Sequence, residues 1–333
     1  MSGGSSRVLR ASLCTGLRRL LPLIVPSLLL WTAPACGPLA VPPAEGTQVR
    51  SPEPDPGGAQ PSTLASPASP GDDDFIHEAP NVSLRGLSRG QKDVFFSIIN
   101  TETSACNRPH SMAQSMRDDP GCYDSTVLAQ FIADAIDAGA STENIRHDLP
   151  IVADALKPRQ IDVKGRPVYG DATAPVTVVV FADFQCPHCR LEAGELRKAV
   201  DRSGGSARLV FKHFPLRSHS VAKSAAVASV IAQKSGKFWD MHDAIFANQT
   251  TLTEPMLIEL ATDVGLDPAK FAADFDAGHG AELVDADREE GVRLGLQGTP
   301  TVYVNGRLMS DVLFGGTLDG WIADALARKT QPG

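Results

Sequence analysis

The sequence lacks several patterns that are typical of common functional classes. It has no glycine-rich phosphate loop, and no Ser-His-Asp arrangement can be argued from spacing. The N-terminal apolar segment, Leu20 to Trp31, is interrupted by two prolines and is shorter than the roughly 20 residues that cross a bilayer. Basic residues are in deficit, with 31 Lys and Arg against 39 Asp and Glu. These absences argue against phosphate-loop chemistry, triad catalysis, a transmembrane helix and nucleic-acid binding.

The first 35 residues have the pattern of an export signal. Four arginines precede the apolar segment, and Ala33-Pro34-Ala35 then offers small residues for cleavage. We therefore predict that residues 1–35 are a signal peptide. Residues 1–35 contain no acidic residue, so removing their four arginines changes the formal net charge from −8 to about −12.

Cys36 follows the predicted cleavage site, where a bacterial lipoprotein carries its lipid-modified cysteine. The match is imperfect because Ala33 stands where an aliphatic residue is usual, and ordinary cleavage remains an alternative. Residues 36–80 are rich in Pro, Ser and Gly and predict a tether, with a root-mean-square span of about 35 Å. The expected location is the bacterial cell envelope or periplasm, either anchored to the membrane through Cys36 or soluble and secreted.

Residues 81–157 predict a small helical segment. Ser88 and Gln91 form a capping-box pattern, a second helix is predicted from Ser125 to Gly139, and a third after Ser141.

Two cysteines, Cys106 and Cys122, flank a predicted loop inside this segment. A structural disulfide is the main interpretation, because small exported helical units often need a covalent link. The alternative is a soft-metal site that also uses residues lying between the cysteines, namely His110, Met112 and Met116.

The central motif is Cys186-Pro187-His188-Cys189. It lies between a predicted buried strand, Val176 to Phe181, and a predicted helix, Cys189 to Val200. A helix N-terminus favours thiolate over thiol at Cys186, and Cys189 lies one turn further on, placed to resolve a mixed disulfide. Half of a zinc site and a structural disulfide are the alternatives, but no second Cys-x-x-Cys follows to complete a zinc site.

A second motif lies more than a hundred residues downstream. Gly298-Thr299-Pro300 precedes a predicted strand, Thr301 to Val304, which is followed by a tight turn at Asn305-Gly306 and a returning strand, Arg307 to Leu313. A proline that opens such a strand favours a cis peptide bond.

Together with Phe211 to Leu216, these motifs resemble the DsbA-like branch of the thioredoxin superfamily, whose members carry Cys-Pro-His-Cys or a near variant and a Thr-Pro or Val-Pro loop. The resemblance covers about Ile161 to Lys329. It implies an α/β thioredoxin fold over residues 158–330, with an inserted helical subdomain at about 218–294. A small all-helical segment precedes this fold.

The resemblance also implies an activity, that of a thiol–disulfide oxidoreductase without a cofactor or metal. The expected catalytic residues are Cys186, Pro187, His188 and Cys189, and the expected substrate-binding residues are Thr299 and Pro300. The implied partners are reduced or unfolded exported proteins and a membrane redox protein that recycles the dithiol. Two alternatives remain open. One is a reductase or isomerase assembled through residues 83–156, and the other is a non-enzymatic, metal-handling envelope lipoprotein using Cys106, His110 and Cys122.

One departure from the superfamily pattern concerns proton transfer. Many relatives carry a buried carboxylate six residues before the first cysteine, where this sequence has Val180. Asp183 is the nearest acid and is expected either to take part of that role or to form a cap or surface contact. Glu192 and Glu195 are predicted to lie on the exposed face of the helix. Three histidines are predicted to be packing or surface residues: His213, His219 and His242.

Overall fold

The computed structural model describes residues 75–119 and 121–330. The predicted signal peptide, Cys36 and most of the predicted tether lie outside the described residues. Within the described part, four helices precede a five-stranded sheet and seven further helices.

The helical segment begins with α1, whose capping box is present as predicted, with Ser88 and Gln91 pairing with each other's backbone. Helix α2 lies in the stretch predicted to be a loop. It forms because the Ser111 side chain accepts the Gln114 N–H at 3.2 Å and because Met112 and Met116 are buried. The four helices of the segment are α1 Arg89–Thr101, α2 Met112–Asp118, α3 Tyr123–Asp137 and α4 Thr142–Leu156.

Residues 75–80 pack on α1 instead of continuing a tether. Ile76 is buried, and the Asn100 side chain pairs with both its N–H and its carbonyl at 2.9 Å. The predicted tether, residues 36–80, therefore extends too far towards the helices.

A disulfide joins Cys106 to Cys122, the residue that precedes α3. Each sulfur is bonded to the other, so neither is a free thiolate for the soft-metal alternative. Met112 and Met116, two further ligands of that alternative, lie in the hydrophobic core.

The sheet has the order β1-β3-β2-β4-β5. Strands β2 and β3 are parallel and the other pairs are antiparallel. Helix α5, Pro187–Arg202, connects the two parallel strands, and α11, Leu318–Thr330, contacts both α5 and β2. The strands are β1 Val168–Gly170, β2 Val176–Ala182, β3 Ala207–His213, β4 Thr301–Val304 and β5 Arg307–Leu308.

Strand β5 is shorter than the predicted Arg307 to Leu313. Met309 still donates its N–H to the Val302 carbonyl at 2.9 Å, but the next carbonyl, that of Ser310, accepts the Trp321 indole N–H at 3.1 Å. The chain leaves the sheet because α11 provides this competing partner.

Five helices lie between β3 and β4, within the predicted insertion at 218–294. The fold-class prediction is thus confirmed: a thioredoxin-like sheet with an inserted helical subdomain, preceded by helices. The inserted helices are α6 Ala222–Gln233, α7 Phe238–Ala247, α8 Glu254–Asp263, α9 Pro268–Asp276 and α10 Ala281–Arg293.

A buried network of ion pairs links α10 to the sheet. Lys212 of β3 and Asp287 of α10 are both fully buried, with 2.9 Å between Nζ and Oδ1. Arg166 contacts the same carboxylate at 2.7 Å, and Lys212 also contacts Glu290. Two cations thus face two anions, and the burial of each charge is offset by a partner.

His213 is buried without a hydrogen-bond partner for either ring nitrogen among the described residues, and its ring packs near those of Phe211 and Phe238. Burial lowers the pKa of His213 to about 4. Because an unfolded histidine titrates near 6.5, the unfolded state binds more protons between these values, so folding stability falls as pH drops from 6.5 to 4.

We expect His213→Phe to remove a stability loss of roughly 3 kcal/mol between pH 7 and pH 4. Urea unfolding of the mature chain at several pH values checks this, with the exposed His147→Gln as control. If the free energy of unfolding depends on pH in the same way in the wild type and in His213→Phe, the lowered pKa of His213 is contradicted.

Candidate active site

Cys186 is the N-cap residue of α5, and Pro187 occupies the first turn. A proline suits this position because the first helical N–H groups have no partner within the helix. The structure contains Cys186 and Cys189 as free thiols, both buried. Cys186 therefore lies at the positive end of the α5 dipole, which favours a negative charge on its sulfur.

The Cys186 sulfur faces the loop that precedes β4. Its S–H donates to the Thr299 carbonyl at 3.2 Å, and the Thr299–Pro300 peptide bond is cis, as the sequence predicts. The structure thus brings the two sequence motifs together across 113 positions of chain.

Cys189 lies deeper, with 2% of its surface exposed. Burial raises the pKa of the Cys189 thiol to about 12, although the backbone N–H of Asp183, which donates to its sulfur at 3.4 Å, partly opposes this shift. Because a thiolate is the reactive form, Cys189 needs a proton acceptor before it can attack.

Asp183 is a buried cap and not a surface residue. Its carboxylate accepts the N–H groups of Gln185 and Leu216, each at 2.7 Å. The same carboxylate lies 2.8 Å from Nδ1 of His219, which was predicted only to pack or face solvent. Asp183 therefore joins the loop after β2 to the loop after β3, and both its oxygens are engaged.

Gln249 is a supporting residue that no sequence signal indicates. Its side-chain amide donates to the carbonyls of Phe184 and Cys186, at 2.8 and 2.9 Å. Gln249 belongs to the inserted subdomain, which therefore binds the backbone of the segment that carries Cys186.

Four further residues of α5 were singled out in the sequence, and they differ in exposure. Pro187 and His188 are exposed in the first turn of α5. Glu195 is exposed as predicted and pairs with Lys198 at 2.8 Å. Glu192, predicted to be exposed, is instead half-buried and lines a small cavity with Cys189. Burial, and then the charge of Glu195, raise the pKa of Glu192.

Residues 162–324 match the family model described as Thioredoxin. This range includes Cys186, Cys189 and Pro300.

Curated relatives with partial matches are named as sodium/proton antiporters. The NhaA 3 protein of Salinispora tropica is 38% identical over 42% of this chain and 22% of its own length. The NhaA 1 protein of Mycolicibacterium vanbaalenii is 33% identical over 68% of this chain and 37% of its own length. The chain thus spans well under half of these relatives. Within residues 75–119 and 121–330, the helices are all too short or too polar to cross a membrane.

Solved structures with a similar arrangement include oxidised BdbD of Bacillus subtilis, with a TM-score of 0.47 and 26% identity over 53% of this chain and 98% of that one. A thioredoxin-like oxidoreductase of Silicibacter pomeroyi has a TM-score of 0.43 and 27% identity over 51% of this chain and 95% of that one.

The family match coincides with the sheet, the inserted helices and the paired motifs at Cys186 and Pro300. Residues 162–324 therefore form a domain of the thioredoxin family and resemble the DsbA-like thiol–disulfide oxidoreductases.

Proposed function

We propose that this protein is an exported enzyme that forms disulfide bonds in reduced proteins through Cys186 and Cys189. The observation that carries the proposal is the unequal placement of the two sulfurs. One lies at a helix N-terminus facing the Thr299 carbonyl, and the other is buried with its thiol pKa raised to about 12. This asymmetry gives one sulfur that exchanges with substrate and one that resolves.

The oxidised enzyme carries a Cys186–Cys189 disulfide. A substrate thiolate attacks Cys186, forms a mixed disulfide and displaces Cys189, which takes up a proton. The second substrate thiolate then attacks the substrate sulfur of the mixed disulfide and displaces Cys186. The substrate gains one disulfide, and the two electrons it loses reduce the enzyme to the dithiol.

Substrate binding is proposed at Thr299 and Pro300. The Thr299 carbonyl lies beside the reactive sulfur, so an extended substrate segment that pairs with this backbone places its cysteine next to Cys186. Backbone pairing is independent of side-chain identity, which suits a range of unfolded clients.

The direction of catalysis depends on how well the protein stabilises the reduced form. The α5 N-terminus and the exposed His188 both favour a negative sulfur at Cys186. We expect a reduction potential clearly more oxidising than thioredoxin's, about −270 mV. His188→Ser or His188→Pro should make the protein more reducing by tens of millivolts.

Equilibration with glutathione buffers measures this potential, with the exposed His279→Ser as control. A potential near that of thioredoxin, and insensitive to His188, would place the protein among the reductases.

The rival isomerase hypothesis requires assembly through residues 83–156. In this structure the helical segment packs on the thioredoxin-like part of its own chain: Arg328 of α11 contacts Asp124 and lies 4.8 Å from the Tyr123 ring. We therefore propose a monomer. Sedimentation of the mature chain distinguishes the two, since a stable dimer or trimer favours the isomerase.

Export and membrane anchoring are proposed from the sequence, because Cys36 lies outside the described residues. We expect mass spectrometry of the mature N-terminus to find a diacylglyceryl group on Cys36. An unmodified N-terminus would leave a soluble, exported enzyme. The proposed partners are reduced exported proteins and a membrane redox protein that reoxidises the dithiol.

A further inference from the structure

A small cavity adjoins the buried sulfur. Cys189, Glu192, Val180 and Pro300 line it, together with His242 of α7. Its volume is about 10 Å³, close to the minimum for a single water molecule. A carboxylate at position 180 would border this cavity, but the residue there is Val180. Glu192 of α5 lines the same cavity.

Glu192 also lines a second, open space. A groove of about 300 Å³ between α5 and the end of the sheet is bordered by Glu192, Pro300, Met309 and Asp311. The half-buried Glu192 side chain therefore lies between the cavity at Cys189 and a groove that is open to solvent.

Two other acids are poorly placed to serve Cys189. The carboxylate of Asp183 already accepts two backbone N–H groups and contacts His219. Glu195 is exposed and paired with Lys198. Among the described residues, Glu192 is the acidic residue that lines the Cys189 cavity.

We propose that Glu192 exchanges the proton of Cys189 with solvent during disulfide exchange. This inference rests on the proposed function. In many superfamily members a carboxylate on the strand, at the position of Val180, exchanges this proton. Here the proposal gives that role to a residue of helix α5.

In each direction of disulfide exchange, one proton moves between Glu192 and Cys189. When a substrate thiolate attacks Cys186, the S–S bond to Cys189 breaks, and the departing Cys189 sulfur takes the proton of neutral Glu192. The resulting carboxylate regains a proton from water in the groove. In the reverse direction, the Glu192 carboxylate takes the Cys189 proton, and the thiolate attacks Cys186 and displaces the substrate thiolate.

The titratable groups around Glu192 support this cycle. Burial and the charge of Glu195 raise its pKa, so the neutral acid persists to a higher pH than on an exposed side chain. Burial lowers the pKa of His242, which keeps that ring neutral and removes it as a competing acid. Asp311 is the other acidic residue that lines the groove.

The experiment uses the mature full-length chain with Cys186 carried as a mixed disulfide with thionitrobenzoate. Attack by Cys189 releases the coloured thiolate, and the single-turnover rate is measured from pH 4 to pH 9. We expect Glu192→Gln to slow release about a hundredfold at pH 7, the lower end of the usual contribution of a general base. Its rate should keep rising with pH and approach that of the wild type at high pH, where hydroxide replaces the carboxylate.

Glu195→Gln, on the same helix, is the matched control. It should keep the wild-type rate at pH 7 and, because the Glu195 charge raises the pKa of Glu192, shift the profile only towards lower pH. Val180→Asp in the Glu192→Gln background should restore part of the rate, because it supplies a carboxylate from the opposite wall of the cavity. A Glu192→Gln profile that matches the wild type, or lies below it by one factor at every pH, would overturn the inference. Failure of the wild-type mixed disulfide to release thionitrobenzoate would instead overturn the proposed function.

Discussion

Cys189→Ser is expected to trap substrate proteins as stable mixed disulfides, whereas Cys186→Ser is expected to reduce disulfide exchange to the uncatalysed rate. Cys186 lies at the α5 N-terminus beside the Thr299 carbonyl, so we expect it to be the sulfur that substrates reach. Cys189 is the more deeply buried of the two, with 2% of its surface exposed against 5% for Cys186, and we expect it to act only on Cys186. Without Cys189, the covalent intermediate has no internal sulfur to resolve it.

Mixing each variant with an unfolded protein that carries scrambled disulfides tests these roles. Non-reducing gels and intact-mass measurements should show adducts that disappear with excess dithiothreitol. The double variant Cys186→Ser/Cys189→Ser is the control, because Cys106 and Cys122 are already paired. Adducts on the Cys186→Ser protein, with none on Cys189→Ser, would reverse the assignment.

Asp287→Asn is expected to destabilise the fold by about 3 to 5 kcal/mol. Asp287 is fully buried between Lys212 and Arg166, and its second oxygen accepts the His213 N–H at 3.0 Å. Neutralising it leaves an excess of buried positive charge, which costs more than the lost contacts alone.

Asp285 provides a matched control two residues away on the same helix. It forms an exposed pair with Lys223 at 2.7 Å, so Asp285→Asn should cost less than about 1 kcal/mol. Urea unfolding of the mature chain gives both values, provided that the slope with denaturant is unchanged. Adding Arg166→Gln to Asp287→Asn should recover part of the loss by restoring charge balance. Equal losses in the two single variants would contradict a structural role for the network.

Much of the architecture could be predicted because its signals are local. The apolar run of β2, the Cys-x-x-Cys at the start of α5 and the Ser88 capping box each depend on residues close together in sequence. The fold class followed from the order of such motifs. Helix α2 was missed because its stabilisation combines a single cap with the burial of two methionines against other helices.

The sequence by itself determined the fold class, the Cys-x-x-Cys at a strand-to-helix turn and the Thr-Pro motif before a strand, because hydrophobic periodicity, caps and turn residues act over a few positions. Only the tertiary structure decided what surrounds the cysteines. Thr299 meets Cys186 across 113 positions and Arg166 meets Asp287 across 121. Glu192 lies only three residues before Glu195 on the same helix, yet it lines the Cys189 cavity while Glu195 faces solvent. Burial is a property of distant segments packing together, so the proton affinity of a side chain is set by neighbours that its own stretch of sequence does not contain.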